Sequence, residues 1–173
     1  MADLHVHTVL SPCAEYLMVP ELIVERALQA GLRLLAVTDH NSAENAGAVV
    51  FAGRRAGVTV LPGMEVESKE GVHMLALFDS LDALSSWQGR VYAALPDREN
   101  DERLFGVQLV VDSEGNLTSI NRRLLITSTD MSVETIAAEV ARTGGLCLPA
   151  HVDRQANGLL GVLGLIPEGL HPI

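Results

Sequence analysis

The stretch Leu34-Leu35-Ala36-Val37-Thr38-Asp39-His40-Asn41 decides how this chain reads. Four consecutive apolar residues form a buried-strand run, and it delivers polar, titratable side chains at its C-terminal end. Upstream, Pro20 suits the first turn of a helix, where its missing N–H costs nothing. Leu22, Ile23, Ala27 and Leu28 then recur near the helical period, and Gly31 stops the helix. Downstream, a second helix is expected from Glu44 to Ala56, closed by Gly57. A strand between two helices implies mostly parallel strands joined by crossover helices, an α/β architecture. In such folds the site gathers at one end of the sheet or barrel.

The same form repeats along the chain. Asp3 to Val6 is a first short strand within Asp3-Leu4-His5-Val6-His7-Thr8. Thr8 to Met18 is a loop broken by Ser11-Pro12. Val58 to Leu61 leads into Gly63-Met64-Glu65-Val66-Glu67, and His73 opens a fourth strand ending at Phe78. Ser80 caps a helix towards Tyr92, and Ser132 caps another whose apolar face holds Ile136 and Val140. That helix ends at Gly144-Gly145, and Leu146 to Ala150 is a fifth strand ending at His151. Pro96 to Arg103 reads as a polar loop. Gly106 to Val111 and Leu117 to Ile126 flank a glycine-containing turn, a hairpin signal. Loop and hairpin, residues 97–130, read as an insertion within a single domain spanning 1–173. Gly158 to Ile166 reads as a glycine-weakened helix.

Composition narrows the class. The chain has 173 residues, one domain's length, and 48% hydrophobic content suits a globular core. Only 3% of residues are aromatic, so that core must come from Leu, Val, Ala and Ile. A formal charge of −10 argues against stable nucleic-acid binding, which needs a basic surface. It leaves anionic substrates open, because bound cations invert local charge. Cys13 and Cys147 are far apart and in no CxxC pair, which fits a reduced, cytoplasmic protein better than a disulfide scaffold. The N-terminus lacks signal-peptide features, and no apolar run reaches the roughly 18 residues of a membrane span.

Side chains at i and i+2 of a strand share a face, so His5 and His7 project together. On their own they could be ordinary strand-face histidines. Yet five of the six histidines, His5, His7, His40, His73 and His151, stand at or beside strand ends. Glu65 joins them after Gly63, where a glycine permits close approach. Imidazoles and a carboxylate are donors suited to Zn, Mn or Fe. Their number exceeds the needs of one tetrahedral ion, so two or three divalent metal ions are expected, with the carboxylate able to bridge a pair. Such a site activates water and stabilises a transferring phosphoryl group. Blander roles stand beside these. His73 and His151 could be satisfied core histidines, Asp39 a helix cap, and Arg154 an exposed surface residue rather than a phosphate contact. Cys147 reads as a buried small residue, Glu67, Lys69 and Glu70 as a solvated turn, Asp97 to Glu102 as a solvated loop, and His171 as a tail residue.

In Asp3-Leu4-His5-Val6-His7-Thr8, Thr38-Asp39-His40-Asn41, Gly63-Met64-Glu65, His73 and Pro149-Ala150-His151, the chain resembles the PHP (polymerase and histidinol phosphatase) domain family. These motifs occur in the family's order along almost the whole sequence. The resemblance implies a distorted seven-stranded β/α, TIM-like barrel with a trinuclear metal site at its C-terminal face. By that likeness His5 and His7 hold a first metal, Glu65 bridges the first and second, His73 and His151 complete the second, and His40 holds the third. Asp39 would orient a ligand histidine.

The chain departs from the family twice. Where an Asp or His is usual after the first histidines it has Cys13 and Ala14, with Glu15 beyond, so Cys13 or Glu15 is the candidate replacement. The family's late Gly-x-Asp-x-His motif is missing, and five barrel strands are legible rather than seven. The expectation is an incomplete barrel from a longer chain, with open sheet edges that invite self-association. The activity implied is metal-dependent phosphoesterase chemistry on a small phosphomonoester or nucleotide-like phosphodiester, through a metal-bound hydroxide. Catalytic support would come from Asp39 and Arg154. The alternatives are a metallohydrolase of C–N or carboxylic ester bonds, which shares that chemistry, and a non-catalytic metal-binding module.

Overall fold

The sequence's stop signals act where they were expected. Pro20 opens helix α1 (Pro20–Gln29), and Gly31 leaves it at φ +71°. Gly57 closes α2 (Ala46–Ala56) in the left-handed conformation. The Ser80 hydroxyl accepts from Ala83 N–H at the start of α3 (Leu81–Ala94), and Ser132 does the same for Thr135 at α5 (Val133–Arg142). A computed structural model describes residues 1–167 and 170. His171 lies outside these.

Five strands form one sheet in the order β1 (Ala2–Val6), β2 (Leu34–Val37), β3 (Thr59–Glu67), β4 (His73–Leu77) and β7 (Leu146–Pro149). A separate hairpin is made of β5 (Leu109–Val111) and β6 (Leu117–Ile120). The architecture is α/β, an incomplete barrel with five strands and an added hairpin.

β1, β2 and β3 run parallel, with Ala36 beside Leu61 and Val37 beside Pro62. The expectation of crossovers fails at one place. β3 returns directly into β4 through residues 68–72, and β4 runs antiparallel to both β3 and β7. Glu67 faces His73, and Glu65 faces Leu75. The reason is local: Lys69-Glu70-Gly71 turns tightly, with Gly71 at φ +83°, and leaves no length for a helix.

Two further expectations shorten or change. The polar connector contains a four-residue helix, α4 (Glu102–Phe105), because the Asp101 carboxylate accepts from Arg103 N–H. The glycine-rich end forms only α6 (Leu159–Leu163).

The core is aliphatic, as the few aromatics require. Leu35, Val37, Val49, Met64, Val66, Met74, Leu84 and Ile136 are buried between sheet and helices, with Trp87 and Phe78 as its large rings. Gly63 matters here. A Cβ there would stand 2.8 Å from Leu77 Cδ2 and 3.0 Å from the Ala76 carbonyl, so β3 and β4 close up only around a glycine.

The hairpin and the segment that follows it are held by buried amides. Asn45 Nδ2 donates to Thr8 Oγ1 (2.9 Å) and to the Leu109 carbonyl (3.0 Å), and Asn45 Oδ1 accepts from Val111 N–H (2.9 Å). Asn41 Nδ2 donates to the carbonyls of Leu125 (2.7 Å) and Thr127 (2.8 Å). Both asparagines are almost wholly buried, so each partner lost leaves an unsatisfied polar group. Asn45→Ala is expected to cost roughly 2–3 kcal/mol, read as a lower urea midpoint. Faster amide exchange at Val111 than in the wild type would accompany it.

Candidate metal centre

Strand direction explains why the site assembles at one rim. Parallel strands present their C-terminal ends together, which places His7 after β1, His40 after β2 and Glu65 towards the end of β3. β4 is reversed, so its start, His73, meets the same rim. β7 runs antiparallel to β4, and His151 follows its end. His40 and Glu65 are joined by a parallel bridge.

The side chains converge on Glu65, which is 1% exposed. Its Oε2 lies 3.2 Å from His5 Nε2, 3.2 Å from His7 Nε2 and 3.3 Å from His40 Nδ1. Its Oε1 lies 3.0 Å from His73 Nδ1 and 3.3 Å from His151 Nε2. One carboxylate thus divides five imidazoles between its two oxygens. His5 Nε2 and His7 Nε2 are 3.1 Å apart. Two nitrogens at roughly 2.0–2.1 Å from a tetrahedral ion lie about 3.3 Å from each other. The donor types and their spacing therefore fit divalent metal ions. His5, His7 and Glu65 form one compact ligand group, and His40, Glu65 and His73 another.

The electrostatics follow from this crowding. Burial pushes the Glu65 carboxyl up, but hydrogen bonds from His5, His7 and His73 outweigh it and hold the group well below the usual carboxylate range. His73 shows the complement. Burial disfavours its charge, yet Glu65 and then Glu67 raise it to about 9. Burial pushes His40 down to about 4, against the pull of Glu65. Burial also lowers His151, and the neighbouring His73, His5 and Arg154 add to that effect.

Asp39 is placed to orient, and it does so through an intermediary. Its Oδ1 accepts from Thr8 N–H (2.7 Å) and Ser11 Oγ (2.6 Å), and its Oδ2 accepts from Thr8 Oγ1 (2.7 Å). Burial pushes its carboxyl up, opposed by those donors from Ser11 and Thr8. Ser11 has a single proton and gives it to Asp39, so its oxygen accepts from His7 Nδ1 (3.1 Å) and His40 N–H (3.1 Å). His7 then carries a proton on Nδ1, so that a cation bound at Nε2, beside His5 and Glu65, would meet a lone pair. Asp39 thus acts on His7 through Ser11, which in sequence is only part of a loop breaker.

Glu67 corrects the reading of a solvated turn. It ends β3 facing His73, its Oε2 is 3.7 Å from His73 Nε2, and its Oε1 accepts from Ser128 Oγ (2.7 Å). The signal available was register: Glu65 and Glu67 both stand in β3, and a hairpin at 68–72 brings Glu67 opposite His73.

Three other residues separate. The Cys13 thiol reaches a ligand group with His7 and His40. Glu15 is exposed and in none of the ligand groups among the described residues. Arg154 is exposed on the loop after His151, with its N–H donating to the His151 carbonyl (2.9 Å).

That loop is strained. His151 has φ +30°, a region costly for a non-glycine residue, and such strain is found where surroundings over-determine a functional side chain. Asn157 accepts from His73 N–H through its carbonyl (2.9 Å), and Ala150 N–H donates to the His73 carbonyl (2.9 Å). A Cβ on Gly158 would stand 2.3 Å from the Arg154 carbonyl oxygen and 2.6 Å from that of His151. Gly158→Ala must therefore move the loop carrying His151. Weaker retention of metal in competition with a chelator is expected, with His151→Ala producing no further loss in the double variant.

A pH dependence follows for the chelator-treated chain. The raised His73 stabilises the fold fully below pH 6.5, and that contribution is lost as pH rises towards about 9. The unfolding free energy should fall across that interval, and His73→Gln should flatten the fall. An unchanged slope in the variant would contradict the His73–Glu65 pairing.

With this geometry in view, the likeness to known proteins has a structural meaning. The PHP domain pattern matches residues 3–142. No curated protein matches the sequence. Among solved structures, the chain is similar to a candidate metal-dependent phosphoesterase from Bifidobacterium adolescentis, at 23% identity and TM-score 0.59, covering 87% of this chain and 66% of that one. It is similar to the lesion-specific endonuclease Q of Pyrococcus furiosus, at 22% identity and TM-score 0.63, covering 91% of this chain and 36% of that one. A third is an amidohydrolase from Chromobacterium violaceum with bound sulfate, at 19% identity and TM-score 0.57, covering 88% and 67%. At these identities the structural likeness bears on the fold, and the chain spans less than two thirds of the length of the first two. Among the described residues, no helix is long and apolar enough to cross a membrane. The family pattern covers most of the chain, from the His5–His7 strand to the end of α5, and the chain belongs to the PHP domain family.

Proposed function

We propose that this centre hydrolyses a phosphate ester, either a small phosphomonoester or a nucleotide-like phosphodiester. The observation that carries the reading is the division of five imidazoles between the two oxygens of the buried Glu65 carboxylate. That donor pattern suits two ions sharing one carboxylate. His5 and His7 would hold one ion with Oε2, and His73 and His151 another with Oε1, while His40 serves the Oε2 side. Divalent ions, Zn, Mn or Fe, supply a water that is acidic enough to react at neutral pH and charge to offset the phosphoryl oxygens.

The chain's own residues do the rest. Asp39 is a positioning residue: through Ser11 it fixes the proton on His7 Nδ1. Glu67 stands beside the second nitrogen of His73 and restricts that ring. Arg154 sits on the exposed rim next to His151, where a guanidinium fork can grip non-bridging phosphate oxygens.

Glu65→Ala should lose both bound metal and release of phosphate from an aryl phosphate, measured by elemental analysis and a colour assay. Asp39→Asn should weaken metal retention by about 10–100-fold, the range for groups that orient a ligand. Turnover of amides or lactones but not phosphates would replace this reading with C–N or carboxylic ester hydrolysis. Metal binding without turnover of either class would make the chain a non-catalytic module. Full metal content in Glu65→Ala would remove the bridging role.

A further inference from the structure

We propose that the segment after the hairpin governs one of the two metal positions alone: Ser128, a positioning residue, holds Glu67 so that Glu67 orients His73 on the Oε1 side of Glu65. The proposal deepens the metal-centre reading and rests on it.

The His73 ring has a carboxylate at each nitrogen. Nδ1 lies 3.0 Å from Glu65 Oε1, and Nε2 lies 3.7 Å from Glu67 Oε2. Glu65 is the carboxylate shared by two ligand groups, so Nδ1 is the nitrogen that faces a cation. A neutral imidazole with its lone pair at Nδ1 carries its proton on Nε2, towards Glu67. An acceptor at that second nitrogen fixes the ring and raises its basicity as a ligand. At 3.7 Å the acceptor is not itself fixed by His73. Its other oxygen is: Ser128 Oγ donates to Glu67 Oε1 (2.7 Å) across 61 positions of the chain.

The main chain and the side chain of Glu67 are held by different residues. The Glu67 carbonyl accepts from Thr129 N–H (2.9 Å) and Thr129 Oγ1 (2.8 Å), and Glu67 N–H donates to Asn41 Oδ1 (3.2 Å). Lys69 N–H donates to the Met131 carbonyl (2.8 Å). These bonds keep the end of β3 in place without the Ser128 hydroxyl. Among the described residues, that hydroxyl makes one hydrogen bond, the one to Glu67 Oε1. Removing it frees the carboxylate and leaves the strand where it is.

The Oε2 side is built differently. Ser11 and Asp39 orient His7, and His40 N–H donates to the same Ser11 oxygen. Among the described residues, neither Ser128 nor Glu67 hydrogen-bonds to His5, His7, Ser11 or Asp39. The two sides of the Glu65 carboxylate therefore have separate supports, and one can be weakened without the other.

The test is zinc chloride titration of chelator-treated protein, with the imidazole nitrogens followed by long-range proton–nitrogen NMR correlation. In the zinc-loaded wild type, His73 should carry its proton on Nε2. Ser128→Ala should lower zinc affinity about 10-fold, the low end of the range for groups that orient a ligand, at the step that shifts His73 and His151. The step that shifts His5 and His7 should be unchanged. Glu67→Ala should act on the same step more strongly, and the double variant should match it. Ser128→Thr keeps the hydroxyl and should bind as the wild type does. A proton on Nδ1 of zinc-loaded His73 would overturn the relay in the wild type alone, whatever the variants do. So would equal weakening of both steps in Ser128→Ala, which marks a merely structural residue, no weakening of either step, or additive losses in the double variant. Zinc that shifts none of His5, His7, His73 and His151 in the wild type would overturn the metal centre itself.

Discussion

A carboxylate removed from water is the constraint around which this structure is arranged. Glu65 is 1% exposed, and an unpaired buried carboxylate is strongly unfavourable. Five imidazoles answer it, but they create a second demand. Ring nitrogens 3.1 Å apart repel unless a proton or a cation lies between them. His73, raised to about 9, supplies a proton-borne positive charge on one side. His40, lowered to about 4, stays neutral on the other. The cluster is therefore balanced for cations: a bound divalent ion would take over the compensation that protons otherwise provide.

The sheet meets this demand by reversing one strand. With crossovers throughout, His73 at the start of its strand would lie at the opposite end from His7 and His40. The hairpin at 68–72 turns β4 round and places His73 opposite Glu67 and two residues along from the partner of Glu65. The same reversal lets the His73 main chain hold the strained loop after β7, through Ala150 N–H and the Asn157 carbonyl. One change of direction thus brings in two of the five imidazoles.

Much of this was legible from residues alone. The apolar runs that end in His7, His40 and His151 declare strand ends, and Gly63 marks the close approach that carries Glu65 inwards. The antiparallel strand was not legible from alternation, since a fully buried strand has the same apolar pattern in either direction. Glu67 and Ser11 were missed for another reason. Each is a common polar residue beside a turn, and what distinguishes it is a partner far along the chain: Ser128 and His73 for Glu67, Asp39 for Ser11. Asn41 and Asn45 are alike in this. The Asn45 amide fastens the hairpin and the Asn41 amide the segment after it, yet in sequence they look like ordinary turn residues.

The relay from Asp39 through Ser11 has a consequence that direct contact with His7 would lack. A carboxylate touching the histidine would fix one ring. Acting through Ser11 and Thr8, Asp39 fixes a loop instead, and with it the His7 proton and the His40 main chain. Loops are the mobile parts of most folds, and a ligand on one is held less firmly than a ligand on a strand. Three donors at 2.6–2.7 Å to one buried carboxylate offset that disadvantage here. The His7 ring and the His40 main chain then share one anchor, so whatever loosens Asp39 disturbs both together.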